Sequence, residues 1–184
     1  MHGDGAPSAW VQRFAGLIAP GAAVLDLACG GGRHLRWLAA QGYALTGVDR
    51  DADAVAPLRG LGEIVVADLE GAPWPLPGRR YGGIVVTNYL WRPLWPQLLA
   101  ALTEDGVLIC ETFAEGHAQF GRPSRPDFLL RHGELLQVCA GLRIVAYEDG
   151  FEPAPPRCVQ RIAAVRKGAE GGPPARFGLC GPAS

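Results

Sequence analysis

Val24-Leu25-Asp26-Leu27-Ala28-Cys29-Gly30-Gly31-Gly32-Arg33-His34 is the stretch on which the fold turns. An apolar strand runs into a carboxylate, then three glycines, then a helix start. Without a Cβ, the glycine backbone can turn sharply and approach a ligand closely. The N–H groups of the helix start then point at whatever negative group lies there. A second acid, Asp49, closes the next apolar segment, Ala44-Leu45-Thr46-Gly47-Val48. It follows the glycines by about twenty residues, the distance expected of a ribose-binding acid in a nucleotide-binding βαβ unit.

Outward from this stretch, helical and strand patterns alternate. Ser8 caps a first helix reaching residue 18, with Trp10, Phe14, Leu17 and Ile18 on one face, and Pro20-Gly21 stops it. Strands are expected at 23–26, 43–48, 63–67, 83–87, 106–112, 142–148 and 158–166, and helices at 33–40, 52–59, 94–102 and 132–140. Residues 71–80, with three prolines and two arginines, read as loop. The run 83–87 is continuously apolar, as in a strand buried on both faces. Between the last two strands lies Gly150-Phe151-Glu152-Pro153-Ala154-Pro155-Pro156 and no helical pattern, so those strands pair as an antiparallel hairpin.

The expected fold is therefore α/β: a doubly wound, seven-stranded, mostly parallel sheet with a C-terminal antiparallel hairpin and helices on both faces. One domain spans 1–167. Residues 168–184, rich in glycine, proline and alanine, read as a flexible tail. In such sheets ligands bind beyond the carboxyl ends of the strands, where strand order reverses. Asp26, Asp49, Asp68, Asn88 and Glu111 each fall near the end of one of the first five strands. That coincidence carries more weight than any one of them.

Composition narrows the function. At 184 residues the chain can bury a full-sized core, and its net charge of −1 offers no field for nucleic acid or an acidic membrane. Lys167 is the single lysine. The cysteines Cys29, Cys110, Cys139, Cys158 and Cys180 form no C-x-x-C pair, so no metal site is expected and a reducing, cytoplasmic home is the simplest. Met1 to Gly5 has no basic start and no apolar run behind it, so no secretion signal is expected, and no run is long enough to span a membrane.

A dinucleotide fingerprint would place a small residue where Leu35 stands, and Asp26 would repel a diphosphate. A ligand with an amino group, a ribose and an adenine suits the pattern better: S-adenosylmethionine. The run from Val24 to His34, with Gly47-Val48-Asp49-Arg50 and Ala67-Asp68-Leu69, resembles the class I S-adenosylmethionine-dependent methyltransferases over roughly residues 10–166. Within that class the chain is similar to the small single-domain bacterial enzymes acting on small molecules, including the tellurite-resistance type. The resemblance implies that Asp26 and the backbone of Ala28, Gly30 and Gly32 line the methionine portion. It implies that Asp49 accepts hydrogen bonds from the ribose hydroxyls, with Arg50 along the adenine face. Asp68 would face the adenine amino group, the Leu69 N–H a ring nitrogen, and Asn88 the methyl-bearing sulfur.

Each reading has a bland counterpart. Asp68 could merely cap a turn, and Arg50 could be a solvated charge. His34 reads as a surface or capping residue. On the acceptor side, Asn88, Tyr89, Glu111 and His117 are the candidate catalytic residues: Tyr89 to orient substrate or shield the sulfonium, Glu111 and His117 as bases. Against them stand a packed aromatic for Tyr89, a hydrogen-bonded anchor for Glu111 and an exposed loop residue for His117. Asn88-Tyr89-Leu90-Trp91 lacks the acid-or-asparagine, two prolines and aromatic of many amino-group methylases of DNA and protein glutamine. The expected partner is a small-molecule methyl acceptor. Three alternatives stay open: a non-catalytic S-adenosylmethionine-binding regulatory module, an RNA methyltransferase, and an NADP-linked oxidoreductase in which Arg50 would meet the 2′-phosphate.

Overall fold

The structure, a computed structural model, describes residues 5–167; the expected flexible tail, 168–184, lies outside the described residues. Seven strands form one sheet: β1 (Ala23–Leu27), β2 (Ala44–Asp49), β3 (Glu63–Val66), β4 (Tyr81–Thr87), β5 (Leu102–Phe113), β6 (Arg143–Pro153) and β7 (Pro156–Val165). Their order is β3-β2-β1-β4-β5-β7-β6. The first five are parallel, and β7 pairs antiparallel with both β5 and β6. The α/β architecture with a terminal antiparallel hairpin is thus the one the sequence implies.

Strand alternation divides the core into two layers. Leu25, Leu27, Ile84, Val86, Leu108 and Ile162 project to one face, where α4 (Trp95–Ala101) and α5 (Glu134–Val138) cover them. Val24, Val85, Val107, Ile109 and Ala163 project to the other, under α1 (Ala9–Phe14) and α2 (Arg33–Ala40). Ser8 caps α1, its Oγ accepting from the Trp10 and Val11 N–H groups. Trp10 Nε1 donates to the Ile162 carbonyl at 3.2 Å, fixing α1 across the hairpin end of the sheet.

Several boundaries differ from expectation for local reasons. The helix expected over 52–59 is α3 (Ala52–Val55), followed by a 3-10 turn (Ala56–Leu58) that carries Pro57. The helix over 132–140 shortens to α5, while residues 71–80 form no helix, as expected. The hairpin strands are longer than expected and take in most of residues 150–156. Arg161 pairs with Glu148 and Glu152, and Arg157 with Glu152, across their ladder.

Leu35, which spoke against a dinucleotide turn, is fully buried and packs over Gly47 of β2. A Cβ on Gly47 would stand 2.7 Å from Leu35 Cδ1 and 3.1 Å from Cys29 Sγ. The strand, not the helix, supplies the missing side chain that lets the two approach.

Candidate active site

The order of strands reverses between β1 and β4, so the crevice there opens at their carboxyl ends. Both strands leave the sheet through a left-handed residue that is not glycine: Ala28 at φ 53° and Asn88 at φ 54°. Such a conformation costs an L-residue roughly 1–2 kcal/mol. Beyond Ala28 the chain continues through Gly30 at φ 50° and Gly32 at φ 76° into α2. Gly32 also needs its bareness for space, since a Cβ would lie 2.5 Å from Leu58 Cδ2.

Asp49 holds this turn. Its Oδ2 accepts from the Gly30 N–H at 2.7 Å and its Oδ1 from the Asp51 N–H at 3.0 Å. Each oxygen keeps a second lone pair for a ligand. On one side of Asp49 lies a chamber of about 170 Å³, lined by Ala28, Arg50, Ala67, Asp68, Leu69, Glu70 and Tyr89. On the other lies an open cleft of about 1090 Å³, whose lining includes Gly5, Gly30, Gly31, Arg33, Thr87 and Asn88. Asp49, Arg50 and Ala28 border both.

Asp68 serves two ends: its Oδ1 accepts from the Glu70 N–H at 2.9 Å, closing a turn, and the residue still borders the smaller chamber. Tyr89 also lines the chamber, half-buried, its hydroxyl buried without a hydrogen-bond partner among the described residues. Burial, then the charges of Glu70 and Asp68, push its phenol well above the usual range. Tyr89 therefore belongs to the same chamber as Asp68 and Arg50.

Asp26 lies within β1, one residue short of its end, and is 1% exposed. Among the described residues neither carboxylate oxygen has a hydrogen-bond partner. Burial raises its pKa from 3.8 to about 8, against a lowering by Arg33 and with a smaller push from Asp49. An orphaned acid beneath a glycine turn fits a ligand that brings an ammonium group.

Two expected acceptor-side bases sit elsewhere. Glu111 is buried inside β5, where Arg161 Nε lies 2.5 Å from Oε2 and Arg157 lies 3.5 Å from Oε1. Ser8 Oγ donates to its Oε1 at 3.3 Å. With two guanidiniums and a hydroxyl on it, Glu111 is an anchor between the sheet and α1. His117 is buried, not loop-exposed: its ring stacks on Phe113 at 4.3 Å, and Nε2 lies 3.2 Å from the Arg122 carbonyl. Neither borders the two spaces beside Asp49. Of the four candidate catalytic residues, Asn88 borders the cleft and Tyr89 the chamber.

His34 also departs from its expected surface position. It is 2% exposed, and burial, then Arg33, lower its pKa to about 3. The neutral ring accepts from the Ser8 N–H through Nε2 at 3.1 Å, so Nδ1 carries the proton, facing Thr87 Oγ1 at 3.5 Å. Arg33 donates to the Ala6 carbonyl at 3.3 Å. These bonds lay residues 5–8 along the start of α2, so that Gly5 becomes part of the cleft wall. No spacing in the sequence announces a contact between Ser8 and His34. Arg92 grips Glu134 through Nε at 2.7 Å and reaches the Asp127 and Leu129 carbonyls.

A family model described as a methyltransferase domain matches residues 2–143. No curated protein matches the sequence. Among solved structures, TehB from Haemophilus influenzae superposes with a TM-score of 0.67 at 19% identity, over 83% of this chain and 60% of that one. A TehB-like S-adenosylmethionine-dependent methyltransferase from Corynebacterium glutamicum gives 0.61 at 22% identity, over 86% and 88%. The [4+2]-cyclase SpnF gives 0.65 at 15% identity, over 87% and 79%. At these identities the likeness is one of fold, and the cyclase shows that this fold also carries other chemistry.

Proposed function

The chain belongs to the methyltransferase-domain family, with S-adenosylmethionine as methyl donor, and from that premise we propose that it methylates a small-molecule acceptor by in-line displacement. The observation that carries this reading is the position of Asp49. Its carboxylate braces the glycine turn and borders both a chamber with Arg50, Asp68 and Tyr89 and a cleft with Arg33 and Asn88. The bound cofactor would supply a sulfonium methyl whose leaving group is already activated, so no metal and no covalent enzyme intermediate is required.

The residues divide by ligand portion. Asp49 receives the ribose hydroxyls. Asp68 and the Leu69 N–H address the adenine edge, with Arg50 and Tyr89 as chamber walls. Asp26 and the backbone of Ala28, Gly30 and Gly32 hold the methionine end, and Asn88 stands beside the reacting carbon. Aligning the acceptor is the protein's main task, and good alignment is worth up to roughly 7–11 kcal/mol of barrier. A net charge of −1 favours a small acceptor over a polyanion. The four free cysteines among the described residues, three of them buried, support a reducing, cytoplasmic setting.

The test is formation of S-adenosylhomocysteine when the protein is incubated with S-adenosylmethionine and a panel of thiols, amines and metalloid anions. Turnover with one class supports the proposal. Tight cofactor binding without transfer to any of them would favour a regulatory module, and NADPH binding in its place an oxidoreductase. In Asp49→Ala, cofactor affinity falls steeply while the fold persists.

A further inference from the structure

We propose that Arg92 is a positioning residue for the methyl acceptor. It fastens the loop of residues 115–129 to the segment that carries Asn88 and Tyr89, and so fixes the wall against which the acceptor is aligned. The proposal rests on the reading above that Asn88 stands beside the reacting carbon of S-adenosylmethionine.

Strand order places β1, β2 and β3 on one side of β4 and β5 on the other. The residues read as holding the cofactor come mainly from the first side, which leaves the β5 side of Asn88 to the acceptor. There Thr87 is in register with Glu111, and the Asn88 N–H donates to the Glu111 carbonyl at 2.8 Å. The loop leaves the sheet at Phe113, the last residue of β5, and is exposed over most of its length. Its ends are joined: the Leu130 N–H donates to the Phe113 carbonyl and the Glu115 N–H to the Leu130 carbonyl, both at 2.9 Å. A loop closed in this way moves as a unit, and its orientation is set where its base is held.

Arg92 holds that base. It begins the 3-10 turn Arg92–Leu94, just past Tyr89. Nε and one terminal nitrogen take the two oxygens of Glu134 at 2.7 and 2.8 Å. The terminal nitrogens also reach the Asp127 carbonyl at 2.7 Å and the Leu129 carbonyl at 2.8 Å. Glu134 in turn accepts from the Arg131 N–H at 2.8 Å. At 31% and 13% side-chain exposure, the Arg92–Glu134 pair is shielded from the screening that weakens surface ion pairs. A planar fork of donors can span a carboxylate and two carbonyls at once, which the point charge of a lysine cannot.

The experiment compares the full chain with Arg92→Gln, Arg92→Lys and Glu134→Gln at a temperature below every melting transition. It measures kcat/KM for the thiol, amine or metalloid anion that the parent chain methylates, affinity for S-adenosylhomocysteine, and hydrogen exchange across residues 115–129. The proposal expects Arg92→Gln to lower kcat/KM for the acceptor roughly ten- to hundredfold, with S-adenosylhomocysteine affinity unchanged. Exchange in the loop should rise while exchange in β1 to β4 stays as in the parent. Arg92→Lys should recover little, and Glu134→Gln, which keeps the two carbonyl bonds, should fall between. Turnover undiminished in Arg92→Gln, with or without faster exchange in the loop, would overturn the proposal. So would an equal loss of S-adenosylhomocysteine affinity, because the residue would then act on the fold as a whole, or full recovery in Arg92→Lys. If Arg92→Gln does not fold, Arg92→Lys and Glu134→Gln decide by the same two measurements. A parent chain that binds S-adenosylhomocysteine but methylates nothing would bring down the methyl-transfer reading itself, and this proposal with it; turnover in the parent separates that outcome from a fault in Arg92 alone.

Discussion

Asp26 shows what the site costs at the scale of one residue. Its folded pKa, raised to about 8 by burial, lies above the unfolded carboxylate value of 3.8. Folding stability from this group is therefore fully present below about pH 4 and is lost as pH rises through 8. Asp26→Asn removes that loss. Relative to the parent chain, the variant should gain stability on the order of 4 kcal/mol at pH 7, with the difference shrinking toward pH 4, as denaturant melts across that range would show. The same variant should bind S-adenosylhomocysteine more weakly, a trade of affinity for stability. In the parent chain, affinity should rise with pH toward about 8, as Asp26 ionises, and fall beyond it as the ligand's ammonium deprotonates. A flat profile from pH 6 to 9, by calorimetry, would remove Asp26 from the ligand's surroundings. The sequence made Asp26 and Asp49 legible because strand, acid and glycines occur in a fixed order. It could not show that Asp49 also braces Gly30, or that His34 is buried under Ser8, because those contacts join residues 19 and 26 positions apart.

At the scale of elements, α2 approaches β2 closely over Gly47. Leu35 fits only because Gly47 has no side chain, so Gly47→Ala should cost about 1–3 kcal/mol in a urea melt. Adding Leu35→Ala to the same chain should return part of that cost; strictly additive losses would mean the two do not share the space. Element order was readable throughout, since hydrophobic periodicity and the Gly and Pro punctuation agree from β1 to β5. Helix α2 fell at the expected residues, 33–40, for that reason. The ends of the hairpin strands were not readable. They are extended by cross-strand pairs of Arg157 and Arg161 with Glu152, which depend on register and leave no local pattern.

Across the whole molecule, the sheet joins the proposed ligand half, β1 to β4, to a hairpin half anchored by Glu111. Glu111→Gln leaves Arg161 short of one buried partner and should destabilise the fold by about 3 kcal/mol. Affinity for S-adenosylhomocysteine should not change in that variant, because the carboxylate lies outside the cleft. A selective loss of affinity, with stability kept, would return Glu111 to the acceptor side. The half proposed to hold the cofactor is legible in one sequence because it is built from backbone turns and acids at fixed distances. The acceptor half could not, because its expected bases, Glu111 and His117, are spent on Arg161, Ser8 and the ring of Phe113. The central claim is that the turn at Gly30–Gly32 and Asp49 together hold an adenosyl amino acid. Thermal unfolding with and without S-adenosylhomocysteine at a hundredfold over its dissociation constant tests it most directly. The account predicts a midpoint raised by roughly 5–11 °C, and an unmoved midpoint at every concentration would contradict it.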